Sequence, residues 1–222
     1  MRARPRAQRR GRPVRLARLR WWRVCSPLAA LLCLGAALGF GAALPGYSPW
    51  DHPLAVLGAQ GVAHARWFNL LGFILPGALC AMVGLGLRLR IALRASWSQR
   101  VGAQLLVLSA LGLMAMGLFQ LQPQQLHGIQ TQLHATAWVL WWSAGLASAL
   151  LLAAGLRGQG QWRGLVVGGP VLAVGVAAFA LLGPAVLPQG LSQRIALLLW
   201  FGGCALAGLS GPARSDAGTL QG

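Results

Sequence analysis

Six stretches of this chain are each apolar for about the length a helix needs to cross a bilayer, and that repetition restricts the fold more than any motif does. They cover about residues 24–44, 67–87, 101–119, 134–156, 165–187 and 195–209. A run of about 20 apolar residues gives about 30 Å of helix, the thickness of the hydrocarbon core. The expectation is an all-α, polytopic membrane protein with six transmembrane helices over residues 24–210. An arginine-rich cytoplasmic tail, disordered by composition, would precede it over 1–23, and a polar tail would follow over 211–222. The first run also invites a signal-peptide reading because Ala42 and Ala43 are small, but it is too long for a signal core and five further spans follow.

Charge orients these helices. Hydrophobic residues make up 56% of the chain and charged residues 9%, against about 25% charged in soluble domains. The formal charge of +17 suggests a nucleic-acid binder only until the arginines are placed. All 19 basic residues are arginine, and ten precede Val24. They flank apolar helices instead of lining a groove with exposed aromatics, so no nucleic-acid partner is expected and the bilayer is the partner. With the N-terminus inside, the cytoplasmic side holds those ten plus Arg88, Arg90, Arg94, Arg100, Arg157, Arg163 and Arg214, which makes 17 of the 19. Only Arg66 and Arg194 fall outside. The positive-inside rule therefore predicts an N-in, C-in protein of the cytoplasmic membrane. Trp21 and Trp22 sit where an interfacial aromatic belt belongs.

Local signals modify single helices. Pro76-Gly77 should kink the second span, and Gly168-Gly169-Pro170 should loosen the first turns of the fifth. Gly35 and Gly39 have the spacing that lets another helix approach closely. Cys25, Cys33, Cys80 and Cys204 lie in or beside apolar runs with no CxxC, and read as small buried hydrophobes.

The predicted topology gathers the unusual residues at one end. Segments 45–66, 120–133 and 188–194 face outward and carry the single tyrosine, Tyr47, together with Asp51, all four histidines or their helix entries, a run of glutamines, Arg66 and Arg194. Asp51-His52-Pro53 followed by an apolar turn reads as a short helix with Asp51 as its N-cap and Gly58 as its end. Asp51 can also pair with Arg66 or Arg194. His127 and His134, seven apart, share a face if the helix begins by Leu126, and Trp138 and Trp141 extend that stripe. Two such imidazoles are weak metal candidates, because the tighter pairs zinc favours are missing. Asn69 lies two residues inside the second span, where a buried amide must find partners.

The stretch from Tyr47 to Gly77 resembles a family of six-helix membrane proteins, domain-of-unknown-function family 998. The resemblance falls on Tyr47 in the first outer loop, the Leu57-Gly58-Ala59 turn, the Phe68-Asn69 pair, and the glycine-rich entry from Gly72 to Gly77. It extends over about residues 25–210 and includes His134 at the opening of the fourth span. The aspartate that the family tends to carry in the second outer loop has no counterpart near Leu121-Gln122-Pro123. The resemblance implies the six-span fold and supplies no reaction.

No nucleophile elbow, phosphate loop or carboxylate pair can be assembled, and Asp51 and Asp216 are the only acids. No cofactor is expected. The expected function is non-catalytic: binding of a lipid headgroup or small solute by Tyr47, Asp51, His52, Asn69, His134 and Arg194. Two alternatives stay open. One is a membrane-embedded hydrolase or transferase using Asp51, His127 and His134, with or without a metal. The other is a small-solute transporter, for which Pro76-Gly77 and Gly169-Pro170 are the candidate helix breaks.

Overall fold

The computed structural model describes residues 21–91 and 95–211. Of the tails expected over 1–23 and 211–222, residues 1–20 and 212–222 lie outside the described residues. Six long helices form the bundle: α1 (Trp22–Ala43), α2 (Ala65–Arg90), α3 (Trp97–Leu118), α4 (Ile129–Leu156), α5 (Arg163–Leu181) and α6 (Gln189–Leu209). All six are long and apolar enough to cross a membrane. Each packs on its sequence neighbour, and α6 returns to α1 and α2, closing the ring.

Hydrogen bonding carries the helices further than hydropathy suggested. α4 begins at Ile129 instead of near residue 134, with Gly128 as its N-cap. α6 begins at Gln189 instead of near 195, because Pro188 supplies an extended N-cap residue and polar residues continue the helix at no backbone cost. Gln193 and Arg194, expected in a loop, therefore sit on the first two turns of a helix. α5 stops at Leu181, where Gly183-Pro184 starts a separate short turn, Gly183–Val186.

The proline expectations split. Upstream of Pro76, α2 widens into a π-helical stretch, Asn69–Ile74, in which the Leu75 N–H reaches back to the Leu70 carbonyl. Widening relieves the clash between the proline ring and the carbonyl one turn earlier. At Pro170 the expected loosening does not occur, and α5 runs unbroken through Gly168-Gly169-Pro170. A membrane helix tolerates one lost bond where neighbouring helices hold it.

Small residues and hydroxyls bring the helices together. A methyl on Gly112 of α3 would lie 2.9 Å from the backbone nitrogen of Trp141 on α4, and one on Gly102 would lie 2.8 Å from Leu152. The Ser109 hydroxyl donates to the Trp141 carbonyl at 2.6 Å and accepts from the Trp200 indole at 2.9 Å, linking α3, α4 and α6 at the bundle centre. Ser148 donates to the Gly102 carbonyl at 2.7 Å, and Ser26 ties α1 to the Phe201 carbonyl at 2.8 Å. Gly35 and Gly39, by contrast, have open space where a side chain would stand, so none of the described helices uses their spacing. The four cysteines are free and buried, as small core residues.

At the end away from segments 45–66, 120–133 and 188–194, Arg90 closes the bundle. Its Nη2 donates to the Ala207 carbonyl at 2.6 Å, and its Nη1 reaches the carbonyls of Gly208 and Ser210. The guanidinium lies 5.3 Å from the Trp22 ring and 5.7 Å from the Trp162 ring. It satisfies the orphan carbonyls at the end of α6 while α1, α2 and the start of α5 meet around it. Replacing Arg90 with alanine should lower stability by about 2 kcal/mol. Unfolding in detergent, followed by tryptophan fluorescence, would measure this, and Arg90→Lys should recover less than half, because a single ammonium nitrogen cannot reproduce the spread of Nη1 and Nη2 over the α6 carbonyls.

Candidate functional site

The segment from Leu44 to His64 is held as a cap over the bundle end. Gly46, at φ +76°, turns the chain so that the Tyr47 N–H meets the Leu44 carbonyl at 3.2 Å. The backbone N–H of Ser48 donates to His52 Nδ1 at 3.0 Å. An N–H can only donate, so Nδ1 is an acceptor and His52 carries its proton on Nε2. Arg194, from the second turn of α6, completes the cluster. Its Nη2 donates to the Tyr47 hydroxyl at 2.6 Å, and its Nη1 donates to the carbonyls of His52 at 3.2 Å and Gly190 at 2.8 Å. The Tyr47 hydroxyl donates in turn to the His52 carbonyl at 3.3 Å. Burial pushes the Tyr47 phenol above its usual range, against the opposing pull of Arg194, which keeps it a donor. Tyr47, His52 and Arg194, three of the six residues expected to bind a ligand, are thus in contact.

Backbone and side-chain contacts lock this cap to segments 120–133 and 188–194. Leu191 N–H donates to the Trp50 carbonyl at 2.9 Å, and Gln193 Oε1 accepts from Leu54 N–H at 2.7 Å. A methyl on Gly190 would lie 2.7 Å from the Trp50 carbonyl and 2.8 Å from that of Pro49, so glycine is what permits α6 to start this close to the cap. On the other side, Gln60 N–H donates to the Leu121 carbonyl at 2.9 Å, and Gln122 Nε2 donates to Gln60 Oε1 at 2.8 Å.

Other sequence expectations are corrected here. Asp51 is exposed and caps no helix. It accepts from the Ser48 hydroxyl at 2.6 Å, while the short 3₁₀ turn Leu54–Val56 starts after Pro53 without a side-chain cap. The reach of the Ser48 side chain, three residues back, closes a local turn first. Asp51 is accordingly engaged with Ser48, and Arg194 is occupied elsewhere. His127 and His134 do not share a face, because α4 starts only at Ile129 and leaves His127 exposed in the preceding turn. His134 is buried, at 9% exposure, with Nδ1 3.0 Å from the Met116 carbonyl and 2.8 Å from that of Phe119. Two carbonyls require a donor, so Nδ1 is protonated and closes the C-terminus of α3. Asn69, 3% exposed, gives its Nδ2 to the Gly58 carbonyl at 2.9 Å and packs so tightly on Gly58 that any side chain there would collide with it. Among the described residues, no group of three or more His, Cys, Asp or Glu side chains is arranged to hold a metal ion.

What the sequence did not assign is where space is left. A cavity of about 460 Å³ opens between the π stretch of α2, the end of α3 and the start of α4, lined by Gln60, Arg66, Asn69, Gln120, Gln122 and Gln130. A smaller one, about 250 Å³, lies between α4, α5, α6 and the cap, with His134, Trp138, Gln189 and Gln193 on its wall. The run of glutamines was visible in the sequence, but spacing alone could not say which of them converge.

Six apolar helices joined at one end by a hydrogen-bonded polar cap define a multi-pass membrane protein. The chain belongs to the family described as "Protein of unknown function (DUF998)", whose model matches residues 17–210. Comparison with curated proteins and with solved structures gives no match.

Replacing Arg194 with alanine should free the cap, raising amide hydrogen exchange over residues 47–54 by about tenfold or more, whereas Tyr47→Phe, which leaves two of the three arginine contacts, should have a smaller effect. Hydrogen exchange with mass spectrometry on the detergent-solubilised protein reads both.

Proposed function

We propose that the protein sits in the cytoplasmic membrane with both termini inside, and that its capped, outward end binds a lipid headgroup or a small polar solute. The orientation is supported by the 17-to-2 arginine asymmetry between the two ends. The binding role is carried by one observation, the cavity of about 460 Å³ whose wall includes four glutamines, Asn69 and Arg66. Amide side chains left facing open volume at a membrane boundary suit a ligand rich in hydroxyl or phosphoryl oxygens, because they can donate and accept without titrating.

The role is non-catalytic. Asp51, His127 and His134, on which a hydrolase or transferase would draw, stand at three separate places, with Asp51 engaged by Ser48 and His134 Nδ1 engaged by α3 carbonyls. Tyr47, His52 and Arg194 act as the frame that holds the cap over the bundle, and Asn69 joins the cap to the cavity wall.

Orientation is tested by single cysteines introduced at Gln124 and Gln159, both exposed, in a background lacking the native cysteines. A membrane-impermeant maleimide added to intact cells should label position 124 and spare 159, and the reverse pattern would overturn the assignment. Binding is tested by mass spectrometry of what the purified protein retains. A stoichiometric polar-headed molecule should be found, and it should be depleted in a Gln120→Leu, Gln130→Leu double variant of unchanged melting temperature. Retention of nothing, or equal retention by the variant, would remove the cavity as the site.

A further inference from the structure

We infer that the group recognised in the glutamine-lined cavity is a phosphate, held by Arg66. This rests on the binding reading above and narrows it to a chemical class. Among the lining residues Arg66 is the only one that carries a charge. Asp51, the one acid among the described residues, is not on the wall and is engaged by Ser48. A fixed cation with no acid beside it selects an anion. The two arginines of this end are used differently. Arg194 donates to Tyr47, His52 and Gly190, whereas the exposed Arg66 has no side-chain hydrogen-bond partner among the described residues. A planar guanidinium left open beside amide donors matches the several oxygens of a phosphate.

Geometry also indicates how such a group arrives. Arg66 lies in the first turn of α2, at the end of the bundle where a bilayer's headgroups would lie. Below it the wall becomes apolar through Ile74 and Leu118, and Leu118 is 61% exposed towards the surroundings of the bundle. At its base Gly117 lets α3 approach α2 closely, since a methyl there would lie 2.8 Å from Ile74 and 2.9 Å from the Asn69 carbonyl. The cavity therefore offers a polar upper wall and an apolar flank, the shape of an anionic phospholipid entering sideways with its phosphate on Arg66 and its chains along Ile74 and Leu118. A free phosphate shares the upper chemistry but makes no use of the flank.

The test uses the full chain in nanodiscs, with native mass spectrometry counting bound lipid. Phosphatidylglycerol is compared with a neutral glycolipid of the same acyl chains, and inorganic phosphate is added in a separate arm. Arg66→Gln, the Gln120→Leu, Gln130→Leu double variant and an Arg163→Gln control at the opposite end are measured alongside, each checked by melting temperature. The expected result is retention of phosphatidylglycerol about tenfold over the glycolipid, lost in Arg66→Gln and in the double variant and kept in Arg163→Gln. Phosphate binding with the same residue dependence but no lipid preference would support the phosphate site and overturn the lipid as its source. Equal retention of both lipids, unaffected by Arg66→Gln, would overturn the phosphate assignment and leave the polar-ligand reading standing. Loss in Arg163→Gln as strongly as in Arg66→Gln, with the double variant unaffected, would reduce the effect to general attraction of anionic lipid and overturn the site. If no variant and not even the native chain retains lipid or phosphate, both readings fall.

Discussion

In hydrocarbon a polar group cannot turn to water, so the hydroxyls and amides buried between these helices depend on partners within the protein. The chain meets that demand mostly with backbone carbonyls. Ser26, Ser109 and Ser148 each give their hydroxyl to a carbonyl of a neighbouring helix, and each such bond contributes on the order of 0.6 kcal/mol in a membrane. That is small, and apolar burial adds little because lipid tails are as apolar as leucine. The larger part of the packing comes from close approach, which is why Gly102 and Gly112 sit where α4 leaves no room for a methyl group. Serine and glycine act together, since a short hydroxyl reaches a carbonyl only when the backbones are near.

The same demand explains how a chain with 19 arginines and two acids places its charges. Ion pairs are hardly available. Arg90 and Arg194, at opposite ends, therefore adopt one solution: a guanidinium spread over carbonyl oxygens and set against aromatic rings. Arg90 closes the end of α6, and Arg194 pins the cap to its start. The last helix is thus held at both ends by arginine, without a carboxylate taking part. Arg66 has no such arrangement, and this difference from two otherwise similar residues directs attention to the cavity beside it.

The cap and the cavity depend on each other. Gln60 and Gln122 join the cap to the segment before α4, Asn69 anchors the Gly58 turn from within α2, and Gln193 and Arg194 hold the other side. These bonds fix the positions of the glutamines that remain open to the cavity. The π stretch that begins at Asn69 contributes to its wall, so the accommodation of Pro76 and the shape of the polar space are parts of one local solution.

The sequence by itself determined the six helices and the distribution of arginine, because length, apolarity and flanking charge are local quantities that a bilayer reads directly. It also identified Tyr47, His52 and Arg194 as residues of one end. It misassigned Asp51, because a cap and a serine-linked turn begin with the same residues and differ only in which hydrogen bond forms. The shared face of His127 and His134 required a helix beginning by Leu126, whereas α4 begins at Ile129 and leaves His127 outside it. Helices apolar on all sides carry no periodic mark of the face they bury. Which of them meet, which glutamines converge and which arginine is left open were decided by tertiary packing, where contacts form between residues more than a hundred positions apart, such as Ser26 with Phe201 and Tyr47 with Arg194.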